Sequence, residues 1–356
     1  MMELSRLSEY VLYTEDVTKR FGLHPAVTDL NLKVKKGEIF GLVGSDGAGK
    51  TTTVQMLCGI LAPDSGLIFV DGHEVESEPD AVRSTVGYMS QDFTLYLDMT
   101  VDENIDFMAD LRGVPKADRE RRKLRLLRFS RMELFRSRRA GALSGGMKKK
   151  LALSCALIHH PGVLILDEPT TAVDPLSRTE LWRILHEFSL EGITIIITTP
   201  YMDEAERCSR VALMQDGKII SCDTPEKLRK QVCRKVCLLK PDDINRASKT
   251  LREDLSISGQ VYGNQIRIFL DNPDTEMPKV RDTLTGRGIL LDRFMEVSPT
   301  MDDVFMDMLT DLNGTKKEKG WISFGETTNH DKAVTASGLT KKFGDFTAVK
   351  DVSFHM

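Results

Sequence analysis

The sequence has no apolar run long enough to cross a bilayer, which takes about 20 residues. Its strongest runs, Val163–Leu166 and Ile193–Ile197, are short and bounded by turn residues. They read as buried strands. The stretch from Met1 to Tyr13 carries acids and has no apolar core segment, which argues against a secretory signal. Charge of one sign is missing too: 49 Lys and Arg stand against 53 Asp and Glu, a formal net charge of -4. That balance speaks against a chain built to coat nucleic acid, and no nucleic-acid partner is expected. The six cysteines, Cys58, Cys155, Cys208, Cys222, Cys233 and Cys237, are scattered. Cys233 and Cys237 share a helical spacing, but no second pair completes a zinc pattern, so they read as reduced thiols. Sustained heptads are also lacking, which speaks against a coiled-coil insertion. A soluble cytosolic chain is the expectation, with any membrane contact made through a partner.

What is present is the material of a folded core. Hydrophobic residues make up 41% of 356 residues, a length that suggests two or three domains. Residues 1–232 alternate strand and helix patterns. Leu30, Leu32 and Val34 alternate with polar neighbours, Glu38–Val43 is more apolar, and Val54, Leu57, Cys58 and Leu61 recur at helical spacing. Leu181, Ile184, Leu185 and Phe188 give the core face of another helix. The pattern predicts an α/β fold with a parallel sheet covered on both faces. Residues 92–160 are helix-rich and read as a helical subdomain, basic from Arg119 to Arg139. The basic run reads first as a solvated helix face, and alternatively as a contact for lipid headgroups.

Residues 233–312 change character. Val236–Leu239, Ile257–Tyr262, Gln265–Leu270 and Ile289–Met295 read as strands, and Gly263-Asn264 is a hairpin signal. With helices between them, the order β-α-β-β-α-β suggests a small ferredoxin-like α+β sandwich, followed by a helix carrying Val304, Phe305, Met308 and Leu312. Residues 313–332 are polar and read as a linker. Residues 333–356 then repeat the beginning. Thr340-Lys341-Lys342-Phe343-Gly344 echoes Thr18-Lys19-Arg20-Phe21-Gly22, and Ala348-Val349-Lys350-Asp351-Val352 echoes Ala26-Val27-Thr28-Asp29-Leu30, without gaps. This reads as the truncated start of a second copy of the first domain. Two strands alone cannot bury an apolar face, so the segment is expected to be disordered or to borrow a neighbour's surface.

Three motifs carry chemistry. Gly44-Ser45-Asp46-Gly47-Ala48-Gly49-Lys50-Thr51, with Thr52 behind it, follows a predicted strand and opens a predicted helix. That is a phosphate loop: bare N–H groups and a helix N-terminus face the phosphates, Lys50 reaches the terminal ones, and Thr51 offers a hydroxyl to Mg2+. Val163–Leu166 ends in Asp167 and Glu168. Asp167 suits a Mg2+ ligand and Glu168 a general base for water. Leu143-Ser144-Gly145-Gly146-Met147 puts a second anion-binding turn at a helix start. One nucleotide rarely needs two such cradles, so the second is assigned to the nucleotide of a partner domain.

Taken together these motifs resemble the ABC ATPase family, over residues 10–230. Gly44–Thr51 is similar to its Walker A, Val163–Glu168 to its Walker B and Leu143–Met147 to its signature. Gly87-Tyr88-Met89-Ser90-Gln91 resembles the Q-loop, which implies that Gln91 touches the metal site and senses a membrane partner. Thr171-Ala172-Val173-Asp174-Pro175 resembles the D-loop, which implies a place for Asp174 at a dimer interface. Phe21 falls where the family stacks an aromatic on adenine; a plain core or turn phenylalanine is the competing reading, and Tyr13 is the other candidate. The resemblance implies ATP and Mg2+, a head-to-tail pair of ATPase units, and separate membrane subunits. The sandwich and the truncated repeat narrow it to the N-terminal half of a tandem subunit of ABC-2-type exporters, peripheral on the cytoplasmic face of a bacterial inner membrane. The second ATPase unit would come from a longer chain or a homodimer. The alternative is an ABC protein acting on ribosomes. Three departures stand out. Pro200 takes the place of the family's switch histidine and has neither side-chain donor nor N–H, so hydrolysis at this site is expected to be slow. Asp46 puts a negative charge in the phosphate loop. Lys149 replaces a usual glutamine, with no consequence readable from the sequence.

Overall fold

The computed structural model describes residues 9–92, 94–257, 259–313, 335–343 and 346–355. It divides into two units, residues 1–312 and residues 313–356.

The first unit begins with strands β1 (Tyr10–Phe21), β2 (His24–Leu30), β3 (Lys33–Lys35) and β4 (Ile39–Val43), then helix α1 (Lys50–Leu57). Strands β5 (Ser65–Val70) and β6 (His73–Glu74), helix α2 (Pro79–Thr85) and strand β7 (Val86–Met89) follow. Three helices come next: α3 (Val101–Leu111), α4 (Lys116–Phe129) and α5 (Gly145–Leu157). The chain returns through β8 (Val163–Asp167), α6 (Pro175–Leu190), β9 (Thr194–Thr199), α7 (Met202–Ala205), β10 (Arg210–Gln215), β11 (Lys218–Asp223) and α8 (Pro225–Gln231).

The central sheet has the order β11-β10-β4-β9-β8-β7. It is parallel except at the β10–β11 edge. A second, antiparallel sheet has the order β2-β1-β5-β6, with β3 also on β1. The alternation of strand side chains splits the interior into two cores. Leu164, Leu166, Ile195 and Ile197 join the core of the helices. Their neighbours Val163, Ile165 and Ile196 join the core under the antiparallel sheet, with Val17, Leu30 and Val54. Both faces of β8 are therefore buried, as its unbroken apolar run requires.

Helix α3 starts on a capping box: Thr100 Oγ1 accepts from the Glu103 N–H at 3.2 Å, and the Thr100 N–H donates to Glu103 Oε2 at 2.7 Å. The basic run is matched by acids. Arg121 pairs with Asp118, Arg125 with Glu191, Arg128 with Glu133, Arg131 with Glu180 and Arg136 with Asp102. It is a mixed-charge face rather than a bare cationic one.

Beyond α8 lie β12 (Lys235–Pro241), α9 (Ile244–Leu255), β13 (Gly259–Tyr262), β14 (Gln265–Leu270), α10 (Pro273–Gly286), β15 (Leu291–Val297) and α11 (Met301–Asn313). Neighbours in the order β13-β14-β12-β15 are all antiparallel, which is the ferredoxin-like topology. Ala247, Leu251, Val280 and Leu284 of the two helices pack on Leu239, Ile266 and Ile268. The last strand starts two residues later than its apolar pattern suggests, because Ile289 is already buried in this core before pairing begins. Of the expected linker only Asn313 is described, as the end of α11; the rest lies outside the described residues.

In the second unit, β16 (Thr335–Phe343) and β17 (Phe346–His355) form an antiparallel hairpin. The residues described thus form a hairpin, not the structureless chain that was one of the two expectations for this segment. The register repeats that of the first hairpin. Val17 faces Leu30 as Leu339 faces Val352, and Lys19 faces Val27 as Lys341 faces Val349. Its internal clamp repeats as well: the Asp29 N–H donates to Thr18 Oγ1 at 3.2 Å, and the Asp351 N–H to Thr340 Oγ1 at 3.0 Å. Asp29 and Asp351 both have left-handed φ, 49° and 51°. Local hydrogen bonds thus give the segment its shape, even though Leu339, Val352 and Phe354 stay exposed.

Candidate functional site

The phosphate loop is built by β4, whose five residues are all buried between β10 and β9. The chain leaves this strand at Gly44, where a Cβ would come within 2.2 Å of the Met214 carbonyl oxygen. At Gly49, φ is 102° and a Cβ would meet the Ala26 carbonyl oxygen at 2.4 Å. Only glycine fits these two places. Helix α1 then starts at Lys50 with no side-chain cap and no acid in its first turn, which leaves its N–H groups and positive dipole end to an anion. Lys50 is buried, and its Nζ donates to the carbonyls of Gly44 at 2.9 Å and Ser45 at 3.0 Å. The same ammonium lies 3.3 Å from Glu168 Oε1.

Strand β8 delivers both carboxylates. Asp167 is 1% exposed; its Oδ1 accepts from Thr198 Oγ1 at 2.6 Å, and its Oδ2 is buried with no hydrogen-bond partner among the described residues. A buried carboxylate oxygen without a partner is costly unless a cation meets it. Together with the Thr51 hydroxyl position at the start of α1, this fits a divalent ion. Glu168 has a left-handed φ of 46°, and its N–H donates to Thr198 Oγ1 at 2.9 Å. Strain of this kind persists only where surroundings enforce it. Glu168 Oε2 accepts from Gln91 Nε2 and from Thr171 Oγ1, each at 3.2 Å.

Asp46, Gly47, Gly49, Lys50, Thr51, Thr52, Gln91 and Glu168 line one cleft of about 390 Å³, and Gly44, Ser45, Ala48 and Asp167 are not among its lining residues. Ala26, Thr171, Pro200 and Tyr201 also line it. Pro200 thus stands at the cleft wall where the family resemblance puts a histidine. The neighbouring Tyr201 ring has the Arg178 guanidinium 5.1 Å from its centre. Phe21 and Tyr13 are not among the lining residues. Phe21 ends β1 and is more than half exposed. Tyr13 donates its hydroxyl to Glu15 and lies under the Lys33 ammonium.

Ser144, Gly145, Gly146 and Asp174 form a second group outside the lining. Ser144 caps α5 by accepting the Met147 N–H at 3.3 Å. A Cβ on Gly146 would meet Ser177 Oγ at 2.5 Å and Asp174 Oδ2 at 3.3 Å, so the two turns lie side by side. Asp174 caps α6 through the Ser177 N–H at 2.9 Å. Hydrogen bonds from the Ser177 N–H and hydroxyl hold its carboxyl below the usual range.

Two contributors escape sequence reading. Thr198 bonds both the Asp167 carboxylate and the Glu168 N–H, yet in the sequence it is one more β-branched residue of a strand. Lys149 is 3% exposed, and its Nζ donates to the Gln91 carbonyl oxygen at 2.7 Å. Burial lowers its pKa against the pull of Asp92, Asp167 and Glu168. Its departure from the family's glutamine was the only signal.

Residues 27–171 match the family model described as ABC transporter. The chain is 39% identical over 98% of its length to a probable multidrug ABC transporter ATP-binding protein, YbhF, of Escherichia coli, and spans 61% of that protein's length. It is 36% identical to the Nod factor export ATP-binding protein I of Burkholderia lata, over 82% of this chain and 94% of that one. Among solved structures, an ATP-binding subunit of an ABC transporter superposes with a TM-score of 0.58 at 30% identity, covering 62% of this chain and 92% of that chain. The cbiO1 subunit from Clostridium perfringens gives 0.58 at 30%, covering 63% and 92%. With phosphate loop, paired carboxylates and signature turn in these places, the chain belongs to the family of ABC transporter ATP-binding proteins.

Proposed function

We propose that the chain binds and slowly hydrolyses ATP as the motor subunit of an export machine. The observation that carries this reading is the one cleft that Lys50, Gln91 and Glu168 line together, with the Ser144 turn outside that lining and beside Asp174. ATP phosphates fit the N–H groups of residues 47–52 and the Lys50 ammonium, which would exchange the loop carbonyls for phosphate oxygens. Mg2+ would be held by Thr51 and Asp167, with Gln91 beside them, and would neutralise charge on the terminal phosphates. Glu168 is placed to polarise the attacking water. The Ser144–Gly146 turn and Asp174 would complete the nucleotide site of a second ATPase unit, supplied by a longer chain or a second copy. Phe21, exposed at the end of β1, is offered as the adenine platform.

Membrane subunits are the remaining partners, docking near Gln91 and residues 92–112. Among the described residues no helix is long and apolar enough to cross a membrane. A place on the cytoplasmic face of a bacterial inner membrane follows from that reading. One named relative is a probable multidrug ABC transporter protein and the other a Nod factor export protein, which disfavours the ribosome-acting alternative.

Pro200 at the cleft wall removes one donor aimed at the transferring phosphate, a loss that typically costs about 10²–10³ in rate. One assay tests both points, measuring Mg-ATP affinity and steady-state turnover. Lys50→Ala is expected to lose tight Mg-ATP binding, and Pro200→His to raise turnover. Retained affinity in the first variant would overturn the nucleotide site, and unchanged turnover in the second would remove the argument for slow hydrolysis.

A further inference from the structure

Helix α5 does two things at once. Its first turn presents Ser144, Gly145 and Gly146, the face proposed for a partner's nucleotide. One turn further in, Lys149 points away from that face. Its side chain is buried, and its Nζ donates to the Gln91 carbonyl oxygen at 2.7 Å. Gln91 Nε2 in turn holds Glu168 Oε2 at 3.2 Å, and Glu168 Oε1 lies 3.3 Å from Lys50 Nζ. A polar chain therefore runs from the signature helix through Lys149 and Gln91 to the residues beside the phosphate loop.

We propose that Lys149 is a positioning residue that straps the signature helix to Gln91, so that the half-site offered to a partner and the chain's own nucleotide site move together. This rests on the functional reading above and deepens it.

The physical case has three parts. First, the residues after β7 are exposed: Gln91 and Asp92 both face solvent. Little apolar packing fixes the Gln91 backbone, so one charge-assisted hydrogen bond from a buried ammonium weighs heavily there. Second, Lys149 is itself rigid. It sits in a helix whose residues from Lys149 to Leu157 are all buried, so it carries the helix position to whatever it holds. Third, a buried ammonium needs compensation. Asp92, Asp167 and Glu168 supply opposite charge around it, which ties its place to the paired acids at the end of β8. A glutamine here would be shorter and uncharged, and would hold the carbonyl less firmly.

The test is a double-mutant cycle on the full chain. Lys149→Met keeps the length and apolar stem and removes the charge. It is expected to lower turnover about tenfold, the low end for losing a partner that orients a catalytic group, and to leave Mg-ATP affinity nearly unchanged. In a Gln91→Ala background the same change is expected to have no further effect on turnover, because the side chain being positioned is gone. Hydrogen exchange of residues 86–97 is expected to speed up in Lys149→Met while exchange in α1 stays as it was. Lys149→Arg, which restores a cationic donor, is expected to recover part of the turnover. Equal losses in the wild-type and Gln91→Ala backgrounds, or unaltered exchange at 86–97, would overturn the proposal. Lys50→Ala run alongside separates the outcomes: if that variant keeps tight Mg-ATP binding, the nucleotide reading itself fails.

Discussion

At the scale of single residues, one hydroxyl sets the geometry of two acids. Thr198 Oγ1 donates to Asp167 Oδ1 and accepts the Glu168 N–H, and it is fully buried. The donation occupies one carboxylate oxygen and leaves Oδ2 for a cation. The acceptance supports Glu168 in its left-handed φ of 46°, a conformation that costs about 1–3 kcal/mol if unsupported. Thr198→Val keeps shape and removes both bonds. Turnover is expected to fall by about 10–100-fold, with a stability loss of about 1–3 kcal/mol for the unsatisfied buried groups. Thr198→Ser is expected to recover most of the turnover. Steady-state kinetics and denaturant titration of the three proteins check this; wild-type turnover in Thr198→Val would refute the role.

At the scale of elements, legibility followed locality. The phosphate loop, β4 and β8 were readable because each is coded by consecutive residues whose chemistry is self-contained: glycines with positive φ, an apolar run, two acids. The Lys149–Gln91 and Thr198–Asp167 links were not, because their partners are far apart in sequence and meet only when the sheet order is known. The break between β2 and β3 was hidden for a related reason. Leu30, Leu32 and Val34 alternate as one strand would and are all buried. Yet the Leu32 N–H goes to Thr14 Oγ1 at 2.8 Å and Asn31 Oδ1 accepts the Asp16 N–H at 3.2 Å, so side chains replace the ladder between the Val17–Leu30 and Tyr13–Lys33 pairs.

The far end of α5 carries a pH dependence. His159 follows that helix, with Nε2 3.3 Å from the Val86 carbonyl oxygen and Nδ1 buried without a partner among the described residues. Burial, then the Arg112 charge, pushes its pKa down to about 4. The folded state therefore binds this proton less readily than the unfolded chain, whose histidine titrates near 6.5. The sign follows: stability is complete above about 6.5 and is lost as pH falls from there toward 4, by about 2–3 kcal/mol at the bottom of that window. His159→Gln cannot titrate, and its unfolding free energy is expected to fall less steeply between pH 6.5 and 4. Parallel curves for the two proteins would rule His159 out as a source of the acid limb.

At the scale of the whole first unit, α11 joins two cores that the sequence presents as separate. Its Met301 and Val304 are buried in the helical core of the α/β body, with Leu228 and Met202. Its Asp303 is fully buried and pairs with Arg267 of β14, and its Asp307 pairs with Arg234 just before β12. The helix thus lies between the antiparallel sheet of residues 235–297 and the body that holds the cleft. Its neighbour α7 begins two residues beyond Pro200, so whatever loads the small sheet is one packed helix from the cleft wall. Val304→Asp would bury a charge with no cation opposite it, among acids already matched, at a cost of more than about 3 kcal/mol. Calorimetry of the wild-type chain is expected to show the body and the small sheet unfolding together. In the variant the small sheet is expected to melt as a separate, earlier transition, while Mg-ATP affinity at low temperature is retained. A single transition with an unshifted midpoint in Val304→Asp would mean that α11 does not couple the two cores.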